Sequence, residues 1–315
     1  MSRPGGVATL VAGFVGSGGC GRNRTFEAPI IWVACLLGLA LSLALRALAD
    51  AAEEAEAKLV APNLRSGMSS DAGSITLTPL PGTAREIAEL GGKLKDSGYA
   101  VTSLSQGEAT EEALEQAISG HDIVHLATHG FFLSEIERET NPREGFLGAG
   151  GLEQKTPVVI SDPMYRSGLA LAGAQSTFNL WKNGQVPPPS QDGILLAAEA
   201  NLLNLRGTDL VVLSACETAS GEALDGEGVM GLRRAFASAG ANSTIMTLWP
   251  VNDAATVEVM DTFYEKYLDG THPAIALAEV QSELYEPFVE KYGEVEAIAR
   301  LAPFICMSLG MVPAN

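Results

Sequence analysis

The chain has 315 residues and a mass of 32.9 kDa, room for one large or two ordinary domains. Its 46% apolar and 18% charged composition belongs to a globular protein with a sizeable core and excludes wholesale disorder. Lysine and arginine number 20 against 38 acids, a formal net charge of −18, which excludes broad non-specific binding to nucleic acid because that needs clustered positive charge. Cys20, Cys35, Cys216 and Cys306 form no CxxC pair, so neither a disulfide framework nor a structural zinc site is predicted.

Residues 1–49 stand apart in composition. They carry Arg3, Arg22, Arg24 and Arg46 against Glu27 alone, and an apolar run from Ile30 to Leu45. As a helix that run reaches about 24 Å at ~1.5 Å per residue, short of a hydrocarbon core of roughly 30 Å. Three readings stay open. One is a signal peptide with Ala47-Leu48-Ala49 as its cleavage site. A second is a membrane anchor through residues 30–49, and the third is a start of the working protein further on, for example at Met68. The protein is accordingly expected in the cytoplasm or anchored to a membrane. Residues 50–79, with AAEEAEAK and RSGMSSDAGS, read as a linker.

From residue 80 to 311 the pattern alternates. Ala84, Ile87, Leu90 and Leu94 share one side of a helix that ends at Gly98. A strand is predicted at Tyr99–Leu104, a helix at Thr110–Ile118 with acids in its first turn, and a buried strand at Asp122–Thr128. Gly193–Leu205 reads as a helix and Leu210–Ser214 (LVVLS) as a second buried strand. Gly228–Ala239 is a predicted helix, Thr244–Leu248 a strand, Ala254–Leu268 and Pro273–Leu284 two further helices, and Ala302–Leu309 a last strand. Short apolar strands alternating with helices predict an α/β domain with a mostly parallel sheet. Two long segments, Phe131–Arg166 and Ala172–Asp192, read as irregular, and the first leaves the end of a central strand, where open α/β sheets place ligands.

The chemistry falls at those strand ends. His129-Gly130 follows one buried strand and Cys216 follows the other, so both would face one crevice if the strands are neighbours. A thiolate is the nucleophile, and a nearby imidazole raises its population and returns a proton to a leaving amine. The backbone amides of Gly130 and Cys216 are natural oxyanion donors. On the residues alone a bland reading also stands, with Cys216 as a small core residue and His129-Gly130 as a turn.

His121, His125 and His129 would spread over more than 25 Å at ~3.3 Å per residue in a strand, too far for one metal. His125 reads as a core-facing imidazole or one supporting the site, and His121 as a turn residue. The acids after Cys216, in particular Asp225 and Glu227, either recognise a basic side chain of the substrate or form a solvated loop. Of Arg233 and Arg234, one is expected to pair with an acid and the other to face solvent. No G-x-S-x-G, GxxxxGK[ST] or HExxH motif occurs.

HLATHGFF (125–132), SGLALAG (167–173), DGILLAAEANLLNLRGTDLVVLSACETASGE (192–222), GEGVMGLRRAFASAGA (226–241) and LWPVNDAAT (248–256) closely resemble the CHAT domain family, caspase-like domains associated with tetratricopeptide repeats. The resemblance runs in order from about Leu80 to Gly310. It implies an α/β/α three-layer sandwich with a mostly parallel central sheet, of the caspase and separase type. It also implies a cysteine endopeptidase with a Cys216–His129 dyad, a protein or peptide substrate, and no cofactor or metal. A separate tetratricopeptide-repeat or other protein is the implied activator, because no such repeat is present in these residues. The family's Trp before the closing APF stands here as Leu301, a change of packing. The alternative function is a catalytically silent caspase-like docking or signalling module.

Overall fold

A computed structural model describes residues 6–12, 75–77, 80–133, 136–139, 157–160, 162–183, 185, 192–214, 227–249, 251 and 253–309. The sequence-predicted signal or anchor run at 30–45 and the linker patches at 51–58 and 65–74 lie outside them.

A six-stranded sheet forms the centre. Its strands are β1 (Val7–Ala12), β2 (Ala100–Ser105), β3 (Ile123–Ala127), β9 (Leu210–Ser214), β10 (Ser243–Thr247) and β11 (Phe304–Ser308). They are ordered β11-β10-β9-β3-β1-β2, and all neighbours run parallel except the pair β10 and β11. Helices α1 (Pro81–Asp96), α6 (Asp253–Leu268), α7 (Pro273–Tyr292) and α8 (Glu294–Leu301) cover one face. Helices α2 (Glu111–Ile118), α4 (Ala197–Ala200) and α5 (Glu227–Ala239) cover the other.

The period-2 alternation of each strand divides the two cores. Ile123 and Ala127 of β3, with Leu210 and Val212 of β9, pack beneath α1 and α6. Val124, Leu126, Val211 and Leu213 pack against α2 and α5. Both faces of these strands are buried, as parallel sheets require. The result is the α/β domain with a mostly parallel sheet that the alternating pattern predicts, layered as the three-layer sandwich that the family resemblance implies.

The strand β1 has no counterpart in the sequence reading. It lies between β3 and β2, with Ala8 and Leu10 fully buried. The amide of Val7 donates to Asp122 Oδ2 at 2.8 Å, and Thr9 Oγ1 donates to the Ala117 carbonyl at 2.9 Å. Its six residues, VATLVA, were hidden by the glycines around them. A working chain beginning at Met68 would lack this interior strand.

Structure also fills and borders the segments expected to be irregular. β4 (His129–Phe132), β7 (Ser167–Ala170) and β8 (Ile194–Leu196) build a small antiparallel sheet. A second antiparallel pair joins β5 (Ile136–Glu139) to β6 (Pro157–Ile160), and a 3-10 turn follows at Pro163–Tyr165. Helix α3 (Ala174–Lys182) fills part of Ala172–Asp192. It buries Phe178 and Trp181 against Phe131 and Ile194. The helix predicted over Gly193–Leu205 is instead β8 followed by the single turn of α4, because Ile194, Leu195 and Leu196 extend to pair with β7. Pro273–Leu284 continues to Tyr292 despite Pro287.

Candidate active site

Strands β3 and β9 are parallel neighbours in register Ile123↔Leu210 through Ala127↔Ser214. One residue beyond that last pair, the Thr128 amide donates to the Ser214 carbonyl at 3.3 Å. His129 therefore stands two residues past a strand end whose partner stands two residues before Cys216. Cys216 and Asp225 themselves fall outside the described residues, and Glu227 is the first residue of α5.

His129 opens β4 and is 3% exposed. Thr128, between β3 and β4, donates its hydroxyl to the Ala170 carbonyl of β7. That bond turns the chain out of the large sheet and into the small one just before the imidazole.

Gly130 lies opposite Leu169. The Leu133 amide donates to the Arg166 carbonyl at 2.8 Å, which makes 133/166 a hydrogen-bonded pair of the antiparallel ladder. Bonded pairs alternate with non-bonded ones, so 131/168 and 129/170 are bonded while 130/169 is not. The Gly130 amide accordingly points away from β7. β4 is the outer strand of its sheet, so this amide is directed at no strand of that sheet.

Below these strand ends lies a buried polar chain that the sequence reading did not assemble. His125 Nε2 is 2.9 Å from Glu86 Oε1, and its Nδ1 is 3.0 Å from the Tyr264 hydroxyl. Ser214 Oγ donates to Glu86 Oε2 at 3.2 Å. Burial pushes the Tyr264 phenol well above its usual range, with smaller contributions from Tyr267 and Glu86. His125 is thus a core imidazole with polar partners, as read from the sequence. Glu86 was legible in one respect: it stands on the same helical row as Leu90 and Leu94, where an acid has no solvent to face.

The other candidates separate. His121 stands before β3, with Nδ1 3.2 Å from the Ser119 carbonyl and a pKa lowered by burial. Cys306, on β11, has its thiol pushed up to about 11 by burial. Arg233 and Arg234 line a pocket of about 400 Å³ with Met164, Met230 and Met307. Arg234 is exposed, as expected of one of the two, and neither makes an ion pair with another described residue; the acids Glu217, Glu222 and Asp225 that follow Cys216 lie outside the described residues. No helix among the described residues is long and apolar enough to cross a membrane.

A mixed α/β sandwich with one mostly parallel six-stranded sheet, and a His-Gly step leaving a central strand, defines a caspase-like domain. The CHAT domain family matches residues 34–297, and the chain belongs to that family. It is similar to tetratricopeptide repeat protein 28 of Mus musculus, 31% identical over 173 residues, which are 54% of this chain and 7% of that protein. The Homo sapiens tetratricopeptide repeat protein 28 is 29% identical over 171 residues, 54% of this chain and 6% of that protein. The chain therefore spans a small fraction of the length of these relatives.

Proposed function

We propose that the protein is a cysteine endopeptidase acting on a protein substrate, with Cys216 as nucleophile and His129 as its proton partner. The observation that carries this reading is the Ala127↔Ser214 register with the Thr128–Ser214 hydrogen bond, since His129 and Cys216 each follow two residues along the sequence from those paired strand ends. The Cys216 thiolate adds to the scissile carbonyl carbon, and the oxyanion is held by the amides of Gly130 and Cys216. The outward direction of the Gly130 amide supports that role. The imidazolium of His129 gives its proton to the leaving amine, and a thioester forms. Water then attacks the thioester, His129 takes its proton, and the new carboxylic acid departs as the thiolate is regenerated.

Asp225 and Glu227 supply a preference for Arg or Lys at P1, since a desolvated carboxylate without its cation is costly. Activation by a separate protein, a tetratricopeptide-repeat protein among the candidates, is supported by the repeat-protein names of the relatives. The test is turnover of a peptide library by the full chain, alone and with cell extract. Cys216→Ala should abolish turnover, and Arg or Lys should lead at P1. Absence of turnover in both conditions, or turnover that survives Cys216→Ala, overturns the peptidase and leaves a docking module. An apolar or acidic P1 preference removes the role of Asp225 and Glu227.

A further inference from the structure

The chain of Ser214, Glu86, His125 and Tyr264 takes no part in the chemistry proposed above. We infer that Glu86 is a positioning residue: through Ser214 and His125 it fixes the ends of β9 and β3 against each other, and so sets the separation of Cys216 from His129. The inference rests on the peptidase reading and deepens it.

Glu86 is 4% exposed and His125 is fully buried. A carboxylate on the core-facing side of α1 is costly to bury, and a Leu or Met of similar size would fill the place without that cost. What it gains is geometry. Both carboxyl oxygens of Glu86 are engaged, one 2.9 Å from His125 Nε2 and one accepting from Ser214 Oγ–H at 3.2 Å. The ring is held at both nitrogens, since Nδ1 meets the Tyr264 hydroxyl of α6 at 3.0 Å. One carboxylate thus links a helix to the two adjacent strands that lead to the dyad, and the phenol braces the imidazole from a second helix.

Ser214 is where this brace meets the site. Its hydroxyl is held by Glu86, while its carbonyl accepts the Thr128 amide. Only Ala215 separates it from Cys216, and Thr128 immediately precedes His129. Thr128 is in turn held from the opposite face by its hydroxyl bond to the Ala170 carbonyl. The two strand ends are therefore clamped from both sides of the sheet. A proton partner displaced by about 1 Å loses rate on the order of a hundredfold, so a brace of this kind acts on kcat more than on substrate binding.

The test uses Ser214→Ala, Ser214→Thr and Glu86→Gln in the full chain, in the presence of extract if the parent needs it. Three quantities are read: the iodoacetamide rate of Cys216 relative to Cys306, kcat and KM separately, and Tm. Ser214→Ala should lower kcat and the Cys216 rate about tenfold with KM little changed, and Ser214→Thr, which keeps a hydroxyl, should restore both. Glu86→Gln should act in the same direction, and if it does not fold, the serine pair decides. Parent-like kcat and Cys216 reactivity in Ser214→Ala overturns the inference while the peptidase reading stands. A fall that tracks Tm and is not restored by threonine does the same, because it marks a purely structural role. A parent Cys216 no faster than Cys306, with no turnover, overturns the peptidase reading itself.

Discussion

Leu133 and Arg166 exchange two hydrogen bonds across 33 residues: the Leu133 amide donates to the Arg166 carbonyl at 2.8 Å, and Arg166 Nε donates back to the Leu133 carbonyl at 2.8 Å. The guanidinium also lies 4.4 Å over the Phe132 ring, and Arg166 is 2% exposed. The pair closes the base of the excursion that carries β5 and β6. Replacing Arg166 by Met leaves a buried carbonyl without its side-chain donor and removes the cation–π contact, a loss of about 2–4 kcal/mol. Urea denaturation measures that loss, and limited proteolysis should show earlier cleavage between Leu133 and Arg166. Unchanged stability would mean the closure is unimportant to the fold.

The position of β1 predicts that a side chain near residue 10 matters as much as any in the core. Leu10→Ala should cost about 2–5 kcal/mol, the range for emptying a fully buried leucine site. A fragment covering residues 69–315 should fail to give a cooperative unfolding transition, since β2 would lose its partner strand. Parent stability in Leu10→Ala, measured by thermal denaturation, would remove β1 from the sheet.

Gly231 lies inside α5, where a change to alanine ordinarily stabilises a helix by about 1 kcal/mol. Here an added Cβ would meet the Pro163 carbonyl oxygen at 2.8 Å and press on Ser167 Oγ. Ser167 Oγ itself donates to that carbonyl at 2.7 Å, so there is little room to yield. Gly231→Ala should therefore destabilise by roughly 1–3 kcal/mol, as overpacking does. A rise in Tm would show that the 3-10 turn at 163–165 is free to move away from α5.

The thiols should separate by pH. With its pKa raised to about 11 by burial, Cys306 is roughly one part in a thousand thiolate at pH 8, so it should alkylate slowly. Cys216 should react faster and with a midpoint below that of a free cysteine, and His129→Ala should slow it. Equal Cys216 rates with and without His129 would end that assignment. Burial of the neutral Cys306 thiol also carries a stability term. The unfolded thiol begins to ionise at about pH 8.5, so the term is intact below that pH and is lost as pH rises towards about 11. Cys306→Ala should flatten that alkaline slope.

Much of this was legible in the residues. LVVLS predicted β9 at its observed bounds, and DIVHLAT gave β3 within a residue at either end, because strands buried on both faces are short continuous apolar runs. The helix α1 announced itself by its 3.6-residue period, with Ala84, Ile87, Leu90 and Leu94 on one side. The misses share a cause: β1, β4, β7 and β8 are three to six residues long and take their strand character from partners far along the chain. Periodicity carries no record of such partners. The same holds for the candidate site, where Cys216 and His129 were visible as residues after strands, whereas Glu86 is 39 residues from His125 and 128 from Ser214.

Placing β1 between β3 and β2 has a consequence for how the chain acquires its structure during synthesis. Val7 pairs with Ala100 and Ala8 with Ile123, separations of 93 and 115 residues. At about 5–20 residues per second, β1 leaves the ribosome roughly 5–19 s before its first ladder partner exists, and its second follows later still. Throughout that interval a six-residue apolar strand has both edges open, the condition under which nascent chains pair wrongly or recruit chaperones. The interior of the finished sheet is thus assembled around the strand that has waited longest. Folding of this domain is governed by late, long-range closure, which is slow for its size.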